Sequence, residues 1–450
     1  MTTQSLSLPG LWATFRTRVI ERKFVRDVGV LTVANGISAA LSLVQGILVA
    51  RWLGPELYGV AALVMSYPNL VYTFFDARSS EASVKYLSEF HARGEREQAW
   101  AMCQLGYMVD FAIAALAFGV VLLSAPWAAR NIAQHPEMVG LIIVYTAAFI
   151  PRALAGTSYA TLATLGRFPL IAWLDVLTTL LRTVLVLGLV STGWQVSGVV
   201  WGNAIPTAAT GLLYGTFAWV LTYRAWGAFP RQESWQVLTG RRREILAFLA
   251  YNDLGALLGM IPKQLDVILL GYLRDPTEAG YYKLAKSFAG SASYIATPLQ
   301  AVVYPEMAYI CSLRDPQAIR QKARQLAFNI GLPLGIAVII TTLFVPFLLP
   351  LLVGRTYTPA MTAIQCLLIG SAVWLGFFWI RPLFLARGWV KEWTLCVAFF
   401  ALCNLIGWLV IVPWEGYLGM SAWWLFSTIF VYTIPPLLIW MRMDRDEEKN

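Results

Sequence analysis

The 450 residues are 58% hydrophobic and only 13% charged, where soluble domains hold about 25% charged residues. Apolar runs long enough to cross a bilayer recur from end to end. They exclude a large soluble domain and set the fold class as all-α, a polytopic membrane protein. The net charge of +9 is then a topology signal rather than a nucleic-acid footprint, and no nucleic-acid partner is expected.

Residues 1–26 lack the short apolar core and small-residue cleavage site of a signal peptide. Leu8, Trp12, Phe15 and Val19 share one helical face, with Arg16, Arg18, Arg22 and Lys23 elsewhere. The pattern suits a cytoplasmic helix lying on an anionic membrane surface, or a frayed basic tail. Six spans follow near residues 27–51, 58–77, 101–123, 138–163, 170–192 and 196–222, forming a first lobe of residues 27–223. A basic cytoplasmic linker, residues 224–244, contains Arg241, Arg242 and Arg243. Six more spans near residues 245–270, 280–301, 324–349, 359–383, 392–412 and 419–441 form a second lobe, residues 245–441. A charged cytoplasmic tail, residues 442–450, closes the chain. With both termini cytoplasmic, most of the 34 Lys and Arg fall on inner segments. The outer loops hold only Arg51, Arg130, Arg274 and Arg355, as the positive-inside rule requires. Trp52, Trp127, Trp194, Trp389 and Trp414 sit near span ends, as an interfacial belt requires.

The two halves repeat at an offset near 220. Residues 48–62 (LVARWLGPELYGVAA) leave one apolar run, make a tight polar turn and enter the next; residues 269–284 (LLGYLRDPTEAGYYKL) do the same. Tyr58-Gly59 matches Ala279-Gly280, the loop from Val84 matches that from Val303, and Gly198 matches Gly419. Six spans per half is an even number, so the halves share one orientation. The expected architecture is about 12 transmembrane helices in two six-helix lobes related by a pseudo-two-fold axis along the membrane normal.

Four spans carry polar stripes at steps of three and four, which place each set on one helical face. These are Asn35, Ser38, Ser42 and Gln45; Ser66, Asn69, Thr73 and Asp76; Asn252, Gly259, Lys263 and Asp266; and Lys283, Ser287, Gly290, Tyr294 and Thr297. Four such faces from two related halves line one central aqueous cavity, or else hydrogen-bond helix to helix. Asn35, Ser42, Gln45, Asn69 and Asn252 are the expected cavity-lining residues. A charge at mid-bilayer costs about 2.5–3.5 kcal/mol, so the charges within spans mark function or pairing. Arg152, Arg182, Lys263 and Lys286 are the candidate substrate-binding cations. Asp175 lies two turns from Arg182 and Asp266 one turn from Lys263, so ion pairing is the structural alternative. Lys286 has no partner on its own helix, although it and Lys283 lie near the outer end of span eight and can snorkel. Asp76, Asp175, Asp253 and Asp266 are candidates for coupling to a proton or sodium gradient.

Other chemistries find no support. The five cysteines show no CxxC spacing, and only His91 and His135 accompany them, so no metal site is expected. No GxxxxGK[ST] occurs, which excludes ATP hydrolysis by that loop. Asp444-Arg445-Asp446 belongs to a solvated tail. No cofactor and no enzymatic activity are expected.

The corner ARWLGPELYGVAAL, the loop beginning Lys85-Tyr86-Leu87-Ser88-Glu89 and the second corner ILLGYLRDPTEAGYYKLAKS resemble the polysaccharide/oligosaccharide flippases of the multidrug/oligosaccharidyl-lipid/polysaccharide (MOP) exporter superfamily. The resemblance covers nearly the whole chain. It implies a V-shaped pair of lobes moving undecaprenyl-diphosphate-linked sugars across the bacterial cytoplasmic (inner) membrane by alternating access. It also implies an anionic lipid-linked glycan as substrate, a cationic cavity to bind it, and other polysaccharide-assembly proteins as partners. O-antigen or exopolysaccharide export is the corresponding role. The rival readings are a drug/cation antiporter of the same superfamily and a membrane-embedded polysaccharide polymerase or ligase. Cationic drugs favour an acidic cavity, and the short outer loops leave little room for a catalytic domain.

Overall fold

The computed structural model describes residues 8–75, 79–227, 264–313 and 315–447, and no strand occurs among them. Helix α1 (Leu8–Phe75) carries spans one and two and breaks only at Gly54, with φ 73° and ψ 173°. The tight turn expected within residues 48–62 is thus a one-residue kink. Glycine adopts the positive φ without a Cβ clash, and Pro55 restarts the helix where no N–H is needed. Helix α2 (Ser79–Arg93) occupies the expected inner loop, and α3 (Arg96–Asn131) is span three. Span four is broken into α4 (Val139–Ala147), α5 (Phe149–Arg152) and α6 (Leu154–Thr164) around Pro151. Spans five and six are α7 (Phe168–Leu189) and α8 (Gln195–Trp226).

The second half repeats this plan. Helix α9 (Gln264–Leu273) is the described part of span seven. Helix α10 (Pro276–Ser312) follows, capped by the Asp275 side chain, which accepts from the Glu278 N–H. The amphipathic α11 (Pro316–Leu326) buries Ile319, Ala323 and Leu326. Helix α12 (Leu332–Leu352) is span nine, and span ten is again broken, into α13 (Met361–Gly376) and α14 (Ile380–Ala386). Helix α15 (Val390–Glu447) carries spans eleven and twelve with one kink, at Gly416. Among the described residues seven helical runs are long and apolar enough to cross a membrane. Three of them, Gly29–Phe75, Phe168–Trp226 and Val390–Val431, each hold two of the expected spans. The outer surface is apolar: Leu123 and Trp414 are 86% and 83% exposed, a pattern suited to lipid rather than water.

The core shows how the lobes meet. At the Gly54 end one continuous cluster runs through both halves, from Val60, Leu63 and Val64 to Leu270, Leu284 and Tyr357. At the opposite end the core is divided. Tyr86, Leu87, Phe90 and Trp100 form one cluster in the first lobe, and Ile319, Phe378, Trp379 and Phe384 form another in the second. Polar contacts follow the same division. Gln134 donates to the Gly271 and Arg274 carbonyls at 3.0 and 2.7 Å, and Arg51 donates to the Leu351 carbonyl at 3.3 Å. Tyr58 packs edge-on against Tyr357. The molecule is therefore two lobes joined at one end. On the join, a Cβ placed on Gly59 would lie 1.7 Å from the Pro276 carbonyl oxygen, and one on Gly280 would lie 2.0 Å from that of Pro55. The repeat-matched pair Gly59 and Gly280 is the contact itself.

Candidate functional site

In the first lobe the two candidate arginines share one neighbourhood. Arg152 ends α5, at the break that Pro151 puts into span four. Its side chain is exposed and makes no ion pair or hydrogen bond among the described residues. Arg182, on α7, is half-buried. It donates from Nη2 to the Ser42 hydroxyl at 2.7 Å, and Ser42 donates onward to the Ser38 carbonyl at 2.7 Å. The Arg182 Nε has no hydrogen-bond partner among the described residues. Both guanidinium groups lie within electrostatic reach of Tyr145, whose hydroxyl accepts from Asn69 at 3.2 Å. Tyr294, half-exposed on α10 of the second lobe, lies within reach of Arg182. The arginines therefore face across the cleft between the lobes. Thr183 holds Gln45 at 3.2 Å, while Asn35 is exposed.

The pairing suggested by spacing on span five does not form. Asp175 accepts from the Tyr214 hydroxyl on α8 at 2.6 Å, and Arg182 turns instead to span one. Each side chain finds a partner on a neighbouring helix closer than the one two turns away along its own. The first lobe thus presents two cations with no carboxylate partner among the described residues. Of its carboxylates, Asp175 is held by Tyr214, and Asp110 is buried against Thr157, accepting from its hydroxyl at 2.8 Å.

The support behind Arg152 is tight. A Cβ on Gly211 of α8 would lie 1.9 Å from the Pro151 carbonyl oxygen and 2.6 Å from the Arg152 Cα. Gly211→Leu is expected to displace the Arg152 turn and cost about 1–3 kcal/mol in overpacking. Thermal unfolding of the purified protein checks this, with Gly119→Leu, where a Cβ meets nothing within 4 Å, as the control. Equal melting temperatures for the two variants would contradict it.

In the second lobe Lys286 ion-pairs across helices with Asp266. Asp266 is almost fully buried, accepts from the Val267 N–H at 2.8 Å and lies 3.4 Å from the Tyr282 hydroxyl. Lys283, one turn earlier on α10, is within electrostatic reach of both charges. Asp76, Asn252, Asp253 and Lys263 lie outside the described residues. The pair stands beside a cavity of about 310 Å³. Sequence reasoning missed its tryptophans, Trp374, Trp408 and Trp424, because tryptophan was assigned to the interfacial belt. An indole inside an expected span, with an N–H to satisfy, is the signal that marks them.

The comparisons with known proteins agree with this architecture. The chain is 24% identical over 334 residues to the inner membrane protein YghQ of Escherichia coli (strain K12), covering 71% of this chain and 90% of that one. It superposes with a TM-score of 0.73 on an inward-facing multidrug resistance MATE family transporter of the MOP superfamily, at 14% identity, covering 91% of this chain and 96% of the other. The lipid II flippase MurJ, in an inward closed conformation, gives a TM-score of 0.70 at 14% identity, covering 91% of this chain and 87% of that one. The class so defined is a two-lobed, all-α membrane protein with the fold of the MOP-superfamily transporters. The chain belongs to the family described as polysaccharide biosynthesis protein, whose profile matches residues 24–310.

Proposed function

We propose that this protein flips a lipid-linked oligosaccharide of the undecaprenyl-diphosphate class across a bacterial inner membrane, for cell-surface polysaccharide export. One observation carries the reading: Arg152 and Arg182 face the cleft with no carboxylate partner among the described residues, beside Tyr145, Asn69 and the other lobe's Tyr294. Two guanidinium groups facing one cleft suit a diphosphate, which they engage through forked, charge-assisted hydrogen bonds. A cationic drug would be repelled there. The family's role in polysaccharide biosynthesis and the inner-membrane relative support this assignment.

The lobes, joined at the Gly54 end and parted at the other, suit alternating access. With the termini cytoplasmic, the described state is open to the cytoplasm and closed on the far side. Asp175 and Asp266, held by Tyr214 and Lys286, are the described carboxylates available for coupling to a proton or sodium gradient. Partners beyond the substrate and the bilayer would be other polysaccharide-assembly proteins.

The test is reconstitution with fluorescent lipid-linked oligosaccharide. A charged hydrogen bond is worth about 1.5–3 kcal/mol, so Arg152→Ala and Arg182→Ala are each expected to weaken substrate affinity about tenfold or more. Arg152→Lys should recover part of it, because a point charge replaces a fork. Undiminished translocation in both alanine variants would remove the cationic-cleft mechanism. Movement of ethidium-like cations but not of lipid-linked sugar would establish the antiporter instead.

A further inference from the structure

The diphosphate reading uses the first lobe and leaves the second lobe's cavity without a role. That cavity, about 310 Å³, lies at the small end of ligand sites, large enough for one ring-sized group. Trp374, Trp408 and Trp424 are among the residues that line it. Trp424 is held in place by Gly370, where a Cβ would lie 2.3 Å from the indole Cζ3.

Two polar groups on the wall await partners. The Thr428 hydroxyl and the Trp408 Nε1 belong to residues 1% and 3% exposed, and neither has a hydrogen-bond partner among the described residues. Buried polar groups are ordinarily satisfied, and an orphan costs about 1–3 kcal/mol. Among the described residues the charges on the wall are Asp266 and Lys286, which pair with each other.

The way in is Gly290. It is exposed on the cavity wall, and a Cβ built there meets nothing within 4 Å. Tyr294 lies one turn further along the same face of α10, beside the arginines. The cavity therefore opens one helical turn from the place assigned to the diphosphate.

We propose that this cavity is a glycosyl subsite that takes one neutral pyranose ring of the translocated glycan. Aromatic faces carry negative potential and pack on the C–H faces of a sugar. The ring's hydroxyl edge supplies an acceptor to the Trp408 N–H and a partner to Thr428 once these side chains turn toward it. The pairing of Asp266 with Lys286, the charged wall residues among those described, selects a neutral ring over an acidic one. The assignment rests on the flippase reading for the source of the sugar, but its test does not depend on translocation.

Saturation-transfer NMR on the detergent-solubilised full chain, with the methyl glycosides of glucose, galactose, mannose and N-acetylglucosamine, tests it. At least one glycoside is expected to bind. Gly290→Leu, whose Cβ meets no atom within 4 Å and whose side chain narrows the entrance, and Thr428→Val are each expected to weaken binding about tenfold. Gly119→Leu should bind as wild type, and circular dichroism verifies folding of each variant. Failure of all four glycosides to bind folded wild type, or binding that survives both Gly290→Leu and Thr428→Val, would overturn the subsite. Tighter binding of methyl glucuronide than of methyl glucoside would also overturn it. Loss of lipid-linked oligosaccharide translocation in the arginine variants is read separately, so the flippase reading and the subsite fail by different results.

Discussion

Gly59→Leu is expected to keep the two lobes from meeting and to abolish translocation. Even the first added carbon would lie 1.7 Å from the Pro276 carbonyl oxygen, with the Gly280 nitrogen at 2.9 Å. These are backbone atoms of another helix, so no side-chain rotation relieves the clash and the helices must separate. Small residues at a crossing exist to permit this approach, and membrane helices gain their association energy from it. The reciprocal change, Gly280→Leu, meets the Pro55 carbonyl at 2.0 Å and should have the same effect. Nitroxide labels on the two lobes at residues 52 and 351, in a cysteine-free background, report the separation. A longer distance in both variants is expected, together with loss of transport. An unchanged distance distribution in either would show that the join does not depend on this crossing.

Lys286→Met is expected to destabilise the protein by about 3 kcal/mol, the low end for breaking a buried ion pair, because Lys286 keeps a third of its surface exposed. The asymmetry between the partners sharpens the prediction. Asp266 is only 4% exposed, so removing the ammonium strands a buried carboxylate. Asp266→Asn leaves the more exposed partner, which can extend toward solvent, and should cost less. The double variant should be more stable than Lys286→Met alone, since no buried carboxylate is left stranded. Unfolding by SDS titration, compared across the four proteins, measures the coupling. Additive single effects would show that the two groups do not act as a pair.

The fold was legible in the sequence to the extent that it depends on hydrophobic length and repetition. Apolar runs located the spans, and the offset near 220 matched Gly59 with Gly280. What the repeat did not disclose is that the two touch. A repeat states equivalence, whereas contact requires knowing where the symmetry axis passes; a residue beside a two-fold axis meets its own image. Connections were legible as breaks but not as geometry. Pro151 announced a bend, but not that span four divides into three pieces with Arg152 at the break.

The site was read at the level of residue type and depth, and less well at the level of partners. Helical periodicity ranks neighbours only along one helix. It therefore suggested Asp175 for Arg182 and offered Lys286 nobody. The actual partners, Ser42, Tyr214 and Asp266, lie 140, 39 and 20 residues away from Arg182, Asp175 and Lys286. Such pairings follow from which helices adjoin in space, and that information is spread over every crossing in the bundle.

The kinks at Gly54 and Gly416 carry a practical consequence. At these two corners helix runs into helix through a single residue, so each is a hard turn with almost no loop. Proteases and antibodies approaching these two corners find almost no loop to grip. Affinity tags, reporter fusions and conformational binders belong on the opposite face, where Gly94–Glu95 and Gly227 end helices and admit inserted chain.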